Sequence, residues 1–204
     1  IQAGGKGTRL AQYTKELPKP LLKIGDKSIL EHQIDLLKRY KINDIIIIVN
    51  HLKEMITDRF GDGEAHGINI QYFEEKQPLG TVGGIKEIEH LLTDDFIVLY
   101  SDIMINMDLR RFIKFHKDKK SICTLVLHPN DHPYDSDLIE LDKDSRVIAV
   151  HPKPHEQGKY YKNLVNAGVY IFSPVIFKYL EKGKKADFGR DIFPRIYKDI
   201  MMFG

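Results

Sequence analysis

Alternating apolar and polar stretches divide the first 127 residues of the chain into strands and helices. Residues 44–49 form the clearest strand, because they are apolar on both faces, as is typical of a central parallel strand covered by helices. Apolar residues recur at helical intervals after Ser28, whose side chain can cap a helix that begins there. The other elements predicted in this part are helices over 52–60, 80–92 and 109–119 and strands over 68–73, 96–100 and 122–127. This alternation predicts a doubly wound, mostly parallel, Rossmann-like α/β sheet.

The pattern changes after residue 127, where short strands follow one another without a long helix between them. The elements predicted here are a β-hairpin over 138–141 and 146–150, a strand over 164–172, and short helices after Pro174 and over 189–200. The chain has no internal repeat and no low-complexity segment. We therefore expect residues 1–204 to form one domain, in which the second half elaborates the sheet.

The composition is ordinary for a folded protein and narrows the choice of partners. Hydrophobic residues make up 42% of the chain and charged residues 29%, and the formal net charge is +2. A charge this small gives no reason to expect binding to nucleic acid or to an anionic membrane. The longest apolar run, residues 45–49, is far shorter than the roughly 18 residues that indicate a membrane-spanning helix. We therefore expect neither nucleic acid nor a membrane as a partner.

The chain has a single cysteine, Cys123, so it cannot form an internal disulfide. Cys123 lies within the apolar run 122–127, which predicts a buried thiol of the core rather than a catalytic one. Proteins without disulfides are typical of reducing compartments. The cysteine usage therefore suits a cytoplasmic location, which we expect for this protein.

The first twenty residues carry candidate chemistry. They contain three glycines, a threonine and two basic residues: Gly4, Gly5, Gly7, Thr8, Arg9 and Lys19. Glycines allow backbone N–H groups to approach an anion from directions that a Cβ atom would block. Arg9 can bring a guanidinium fork, and Lys19 a point charge, to the same phosphate oxygens. This combination favours a triphosphate cradle over a plain glycine turn.

Two better-known glycine motifs do not occur in the chain. A dinucleotide fingerprint would need a third glycine at the position of Leu10, and no window has the G-x-x-x-x-G-K-[S/T] pattern of a Walker loop. The segments AGGKGTRL at 3–10 and LPKP at 17–20 instead resemble the signature of the sugar-1-phosphate nucleotidyltransferases. The resemblance implies an EC 2.7.7 transferase that uses Mg²⁺ and converts an NTP and a sugar 1-phosphate into an NDP-sugar and pyrophosphate. It also implies a role in NDP-sugar biosynthesis for cell-surface polysaccharides.

The resemblance further implies which residues hold the nucleotide. Asp102 follows a predicted strand and matches the acid that binds the metal ion, although Ser101 replaces the glycine that usually precedes it. The segment EKQPLGTVGG at 75–84 resembles the loop that lies against the base and ribose, where Gly80 and Thr81 would approach the base through backbone groups. The nucleotide-binding half, 1–127, would use Ala3, Gly4, Gly5, Gly7, Thr8, Arg9, Lys19, Glu75, Gly80, Thr81 and Asp102.

Glu75 occupies a position at which relatives place a polar residue that reads the base. A carboxylate only accepts hydrogen bonds, so it suits guanine, with donors on N1 and N2, better than uracil, with one donor. Glu74 and Glu75 point to opposite faces if the preceding strand continues, so only one of them can serve. Two solvated surface acids are the alternative interpretation. We expect GTP as the favoured nucleotide.

The sugar-phosphate-binding half, 128–204, would supply Lys153, Asn166 and Gly168. Lys153 matches the lysine that holds the sugar phosphate, but Pro152 stands where relatives have an acid that helps to hold a sugar hydroxyl. His151 or a residue from elsewhere in the chain would have to replace that acid. The catalytic set implied by the resemblance is Arg9, Lys19, Asp102 and Lys153.

The sequence leaves the substrates open. Our first expectation is a guanylyltransferase that uses GTP with mannose or heptose 1-phosphate, and the alternative is a glucose-1-phosphate thymidylyl-, uridylyl- or cytidylyltransferase. A regulatory domain that binds a nucleotide-sugar without turnover is a further option, against which the retained charged residues argue. Assembly into a homo-oligomer is compatible with the sequence.

The two ends of the chain indicate a piece of a longer protein. Ile1 lies directly before the glycine loop, so a first strand of about five residues would extend further upstream. Relatives carry a second metal-binding acid downstream of a helix that corresponds to residues 193–195, and no matching segment occurs before Gly204. We therefore expect that acid beyond residue 204.

Overall fold

The computed structural model describes residues 1–4, 17–50 and 52–204, which form two compact units. Unit 1 comprises Ile1–Pro78 and Leu99–Arg110, and unit 2 comprises Leu79–Val98 and Arg111–Gly204. Packing therefore groups the segment Leu79–Val98 with the second half of the chain. The predicted halves, 1–127 and 128–204, were defined by the substrate that each would bind and not by packing. That division stays a prediction.

Unit 1 is built on parallel strand pairing. Its elements in the described residues are β1 (Lys23–Ile24), β2 (Lys27–Ser28), α1 (Ile29–Arg39), β3 (Asp44–Val49), α2 (Lys53–Phe60) and β4 (Asn69–Glu74), with 3₁₀ turns at Lys19–Leu21 and Glu64–His66. β3 pairs with β4 in parallel along its whole length. Gln2 forms parallel bridges with both Ile48 and Tyr100, so the first residues lie between β3 and the segment around residue 100.

Helix α1 begins where its capping residue predicts. Ser28 Oγ accepts a hydrogen bond from the Glu31 N–H at 3.3 Å, and the Glu31 carboxylate accepts one from the Ser28 N–H at 2.7 Å. This reciprocal pair is a capping box, which satisfies two backbone donors at the start of the helix. The buried face of the helix consists of Ile29, Leu30, Gln33, Ile34, Leu36 and Leu37. Apart from Gln33, it is the apolar face that the sequence predicts.

Unit 2 contains the larger sheet. Its elements are α3 (Gly80–Glu87), β5 (Phe96–Leu99, whose last residue belongs to unit 1), α4 (Leu109–Asp118, which starts in unit 1), β6 (Cys123–His128), β7 (Leu138–Leu141), β8 (Val147–His151), β9 (Val165–Phe172), α5 (Phe193–Ile196) and β10 (Met202–Phe203). The sheet order is β10–β6–β9–β7–β8, and β5 also pairs with β9. β6 and β10 are parallel, whereas β6–β9, β7–β9 and the predicted hairpin β7–β8 are antiparallel. The Rossmann-like α/β class is confirmed. In unit 1 the longer strands β3 and β4 pair in parallel and the short strands β1 and β2 pair antiparallel, whereas pairing in unit 2 is mostly antiparallel.

The core of unit 2 explains why the last predicted helix is irregular. Tyr170, Phe172, Phe188 and Phe193 are fully buried side chains. The ring centroids of Phe172 and Phe188 are 4.8 Å apart, and Phe193 packs on the same cluster. Phe188 and Phe193 lie five residues apart, and the π-helical turn Phe188–Ile192 lets both face inward, with the Phe193 N–H donating to Phe188 O. Residues 189–200 therefore form a π turn and the short α5 instead of one regular helix.

Cys123 is completely buried in β6, as the apolar run around it predicts. Burial raises the pKa of its thiol well above the usual value, so the thiol stays protonated at neutral pH. A protonated, inaccessible thiol is a poor nucleophile, which fits a structural role. None of the helices in the described ranges combines the length and the apolar composition needed to cross a bilayer.

Candidate active site

Four parallel segments of unit 1 end at one edge, and the predicted nucleotide-binding residues follow them. Because β3, β4 and the segments around Gln2 and Tyr100 run in parallel, their carboxyl ends lie on the same side. Within two residues of those ends come Gly4, Asn50, Glu75 and Asp102. Open α/β sheets bind ligands at this edge. The fold of unit 1 therefore gathers these residues where a ligand is expected.

Lys19 and Asp102 form an ion pair at this edge, although they are 83 positions apart in the chain. Lys19 Nζ lies 3.1 Å from Asp102 Oδ2, and the two side chains are 20% and 44% exposed. Lys19 opens the 3₁₀ turn Lys19–Leu21, and Pro18 and Pro20 restrict the backbone on both sides of it. A partly exposed pair of this kind adds little to stability. Its significance is that it places a cation beside a carboxylate, with both side chains partly accessible to solvent.

Gln33 holds the turn that carries Asp102. Its side chain is on the buried face of α1, where the residue is 1% exposed. The amide Nε2 donates to Tyr100 O and to Ile103 O, both at 2.9 Å. These carbonyls flank Ser101 and Asp102, so the amide fixes the turn from inside the unit. Gln33 was not among the residues predicted from the sequence to serve the site; its signal there is a polar residue at a position where helical spacing favours an apolar one.

Asp102 suits a magnesium ion that is shared with phosphate oxygens. Mg²⁺ in nucleotide sites is usually held by one or two carboxylates together with water and phosphate. Nowhere in residues 1–4, 17–50 and 52–204 do three or more His, Cys, Asp or Glu side chains group to hold a metal ion. The described residues therefore form no cage of three or more such ligands, and Asp102 contributes one partly exposed carboxylate. It fits Mg²⁺ brought in with a nucleotide better than an ion held by protein alone.

Glu74 and Glu75 have different surroundings, as strand alternation predicts. Glu74 is exposed and forms an ion pair with Lys53 of α2. Glu75 is only 7% exposed, although it follows the end of β4. Its N–H donates to Val49 O at 2.9 Å, and Asn50 donates a side-chain hydrogen bond to its carbonyl. Of the two acids, Glu75 is therefore the one that the backbone holds at the carboxyl edge.

Gly4 and Glu75 are in close contact. A Cβ atom on Gly4 would lie 3.2 Å from Glu75 Oε2. Ala3 is buried, and its N–H donates to Ile48 O at 2.8 Å, so this donor is used by the sheet and is not available to a phosphate. The predictions for Gly5, Gly7, Thr8 and Arg9 concern residues outside the described part of the chain.

Gly80 and Thr81 belong to unit 2, where they join α3 to the segment around Ala186. Gly80 has φ of +77°, and a Cβ atom there would lie 2.3 Å from Ala186 O, so only glycine fits. Thr81 Oγ1 donates to Asp187 Oδ2 and accepts from the Phe188 N–H, each at 3.0 Å. The Thr81 hydroxyl therefore serves the packing of unit 2. A role of the backbone at these two positions in binding the base stays a prediction.

We expect Thr81→Val to lower the free energy of unfolding by about 1–3 kcal/mol, because the Phe188 N–H would lose its acceptor in a partly buried place. Denaturant unfolding followed by circular dichroism measures the change. Thr57→Val is the matched control, since the Thr57 hydroxyl donates to Glu54 O in an exposed position. Equal stability losses for the two variants would contradict the structural role of Thr81.

Two predicted sugar-phosphate residues of unit 2 converge on a third residue, Asp137. The Lys153 N–H donates to Asp137 Oδ1 at 3.2 Å, and the Asn166 N–H donates to Asp137 O at 3.1 Å. Lys153 itself is exposed, and its Nζ donates to Asp135 O at 2.6 Å. The Gly168 N–H donates to Asn166 Oδ1 at 3.2 Å, which orients the Asn166 amide. Lys153, Asn166 and Gly168 are therefore brought together.

Asp137 is an acid beside these residues that was not predicted from the sequence. The sequence offered His151, or a residue from elsewhere in the chain, in place of the acid absent at Pro152. His151 Nε2 lies 2.8 Å from Glu140 Oε1. Burial raises the pKa of the Asp137 carboxyl, and the nearby Asp187 carboxylate acts in the same direction, while the Lys153 N–H opposes the shift. The signal in the sequence was Pro152, which stands where the resemblance implies an acid.

The chain is similar to known proteins over almost its whole length. The family model described as nucleotidyl transferase matches residues 1–203. The chain is 31% identical over 210 residues to UTP–glucose-1-phosphate uridylyltransferase of Synechocystis sp., covering 96% of this chain and 54% of that protein. It is 30% identical over 208 residues to mannose-1-phosphate guanylyltransferase catalytic subunit beta of Xenopus tropicalis, covering 100% and 57%.

A solved structure supports the same relationship. HddC from Yersinia pseudotuberculosis, complexed with GMP-PN, superimposes with a TM-score of 0.81 at 25% sequence identity and covers 100% of this chain and 87% of that chain. The chain spans about half the length of the curated relatives it matches. Since the family model covers nearly every residue, the chain belongs to the nucleotidyl transferase family, together with sugar-1-phosphate uridylyl- and guanylyltransferases.

Proposed function

We propose that this chain transfers a nucleotidyl group from an NTP to a sugar 1-phosphate and releases pyrophosphate. The observation that carries the proposal is the Lys19–Asp102 pair, with 3.1 Å between Nζ and Oδ2, at the carboxyl edge of parallel segments. A cation and a carboxylate side by side can serve a triphosphate and its metal ion at the same time. The family relationship supports the same activity.

The reaction would need positioning and charge neutralisation more than proton transfer. The attacking group is an oxygen of the sugar 1-phosphate, which is already anionic, so neither a strong base nor a covalent intermediate is required. Lys19, with Arg9, would hold the triphosphate and the leaving pyrophosphate, and Lys153 would hold the attacking phosphate. Asp102 would hold Mg²⁺, which when bound supplies positive charge to the phosphate oxygens. Gln33 would keep Asp102 in place through the two carbonyls of its turn.

A pyrophosphate-release assay tests this proposal. The full-length protein is mixed with Mg²⁺, each of GTP, UTP, dTTP, CTP and ATP, and a panel of sugar 1-phosphates. We expect release with at least one pair and none when either substrate is left out. Tight nucleotide-sugar binding without release under any condition would contradict the enzymatic role and favour a regulatory domain.

We propose GTP as the preferred nucleotide, with mannose or heptose 1-phosphate as the acceptor. Support comes from Glu75, a buried carboxylate at the carboxyl edge that can accept two hydrogen bonds, which matches the N1 and N2 donors of guanine. A guanylyltransferase is among the similar proteins, and the similar HddC structure contains GMP-PN. A uridylyltransferase is similar to the same degree, so UTP with glucose 1-phosphate is the second candidate.

Glu75→Gln is expected to reduce the preference for GTP over UTP by about tenfold or more. The amide keeps the shape of the carboxylate but turns one acceptor into a donor that faces a guanine donor, and each such loss costs about 1–3 kcal/mol. The measurement is kcat/KM for both nucleotides. Glu74→Gln is the matched control, because Glu74 is exposed and pairs with Lys53. A wild-type preference for UTP, or equal effects of the two variants, would overturn the guanine assignment.

We further propose that the protein is cytoplasmic and that it supplies NDP-sugar precursors for polysaccharides. The free, buried thiol of Cys123 is compatible with a reducing compartment. Fractionation of cells that express the tagged full-length protein tests the location.

A further inference from the structure

In unit 2, the carboxylate of Asp137 occupies the place that a side chain at position 189 would take. A Cβ atom on Gly189 would lie 2.0 Å from Asp137 Oδ2 and 2.9 Å from its Cγ. The same point is 3.5 Å from Asn166 Nδ2. Gly189 is buried, and the Asp187 carboxylate accepts from its N–H at 3.1 Å. The absence of a side chain at 189 therefore leaves room for the Asp137 carboxylate, with the Asn166 amide near the same point.

Both groups have unused hydrogen-bonding capacity. Asp137 Oδ1 accepts from the Lys153 N–H, whereas no group in the described ranges donates to Oδ2. Asn166 Oδ1 accepts from the Gly168 N–H, which orients the amide so that Nδ2 is its donor end, and none of the described residues accepts from Nδ2. A hydroxyl group both donates and accepts one hydrogen bond, so it can satisfy Oδ2 and Nδ2 together.

The alternatives to a hydroxyl fit less well. A phosphate oxygen would be repelled by the carboxylate. A carbonyl oxygen could accept from Asn166 Nδ2 but could not donate to Asp137 Oδ2. Asp137 Oδ2 and Asn166 Nδ2 together therefore favour a neutral ligand group that has an O–H.

Resting on the function proposed above, we propose that Asp137 and Asn166 together bind one hydroxyl group of the sugar 1-phosphate, and that Gly189 makes this arrangement possible. The Lys153 N–H on Asp137 Oδ1 connects the pair to the lysine assigned to the sugar phosphate. One site, built from three separate segments of unit 2, would thus bind both the phosphate and a hydroxyl of the same sugar. In this chain Asp137 supplies a carboxylate that position 152, a proline, lacks.

The proposal is tested by comparing the affinities of sugar 1-phosphates and their monodeoxy analogues for wild-type and variant protein. Affinities of mannose 1-phosphate, glucose 1-phosphate and their 2-, 3-, 4- and 6-deoxy analogues are measured by calorimetry for wild-type protein and for Asp137→Ala. We expect wild-type protein to bind one analogue about tenfold or more weakly than its parent, because a hydrogen bond to a charged group is lost. Asp137→Ala should discriminate much less between that analogue and its parent, because only the contact of the hydroxyl with Asn166 remains. Asp131→Asn, at an exposed acid paired with His132, is the control and should behave as wild type.

Position 189 provides an independent test. Gly189→Ala should weaken binding of the parent sugar 1-phosphate in the wild-type background, because its methyl group displaces the Asp137 carboxylate. In the Asp137→Ala background the same change should add little, since the group it displaces is gone. Additive losses in this double-mutant cycle would overturn the role assigned to Gly189.

A stability measurement separates binding from folding. The charged groups that act on Asp137 are Lys153, His155, Asp187 and Arg190. Because burial, aided by Asp187, raises the pKa of Asp137 in the folded state, its ionised form destabilises the fold above that pKa. Asp137→Asn should therefore raise Tm at pH 7, and the gain should disappear as the pH falls through the usual carboxyl range. A lower Tm at pH 7 would show that the carboxylate serves the fold and would overturn the proposal.

The outcomes also separate this inference from the general function. In one outcome, wild-type protein binds and turns over a sugar 1-phosphate, but each deoxy analogue loses as much affinity relative to its parent in Asp137→Ala as in wild type. That outcome would overturn the role of Asp137 and leave the general function in place. Wild-type protein that neither binds nor turns over any sugar 1-phosphate would overturn both.

Discussion

Asp102→Asn should lower the rate of pyrophosphate release by at least about 100-fold at physiological Mg²⁺. The amide keeps the shape of the side chain but removes the charge that a hard cation requires, and metal-derived charge stabilisation is worth several kcal/mol in the transition state. The substitution also removes the ionic partner of Lys19. Steady-state pyrophosphate release, measured over a range of Mg²⁺ concentrations, should show a weaker apparent affinity for the metal.

Asp35→Asn is the matched control for this experiment. Asp35 belongs to the same unit and pairs with Lys27 at 2.6 Å, with both side chains about half exposed. It should keep the wild-type rate at every Mg²⁺ concentration. An Asp102→Asn variant that also kept the wild-type rate and the wild-type Mg²⁺ dependence would show that Asp102 does not hold the metal.

Lys153→Ala should weaken binding of the sugar 1-phosphate by roughly 10–150-fold and leave the affinity for the NTP unchanged. The expected loss corresponds to one charge-assisted contact, about 1.5–3 kcal/mol. The side chain is exposed and its Nζ rests on Asp135 O, so the ammonium group can turn toward a phosphate at little cost. Separate titrations of the two substrates by calorimetry measure the effect.

Lys162→Ala provides the comparison for Lys153. Lys162 is an exposed lysine of the same unit, and it has no assigned role in binding. Its removal should leave both affinities near wild type. Equal losses of sugar-phosphate and NTP affinity in Lys153→Ala would contradict a specific contact with the sugar phosphate.

The sequence predicted much of the framework because local patterns follow local physics. The Ser28 cap, the β3 strand and the β7–β8 hairpin were each encoded within a few neighbouring residues, and the structure contains all three. The irregular turn at Phe188–Ile192 could not be predicted in this way. It depends on two aromatic rings that pack against β9, which is distant in sequence.

By itself, the sequence determined the α/β class, the family resemblance and the residue types that would serve phosphate, metal and base. These depend on composition, spacing and chemical type, which tertiary packing does not alter. Only the tertiary structure decided which side chains meet: Lys19 with Asp102, Gln33 with the turn around Asp102, and Asp137 with Asn166 beside Gly189. The members of each group are far apart in the chain, and their approach is set by strand register and core packing rather than by any local preference.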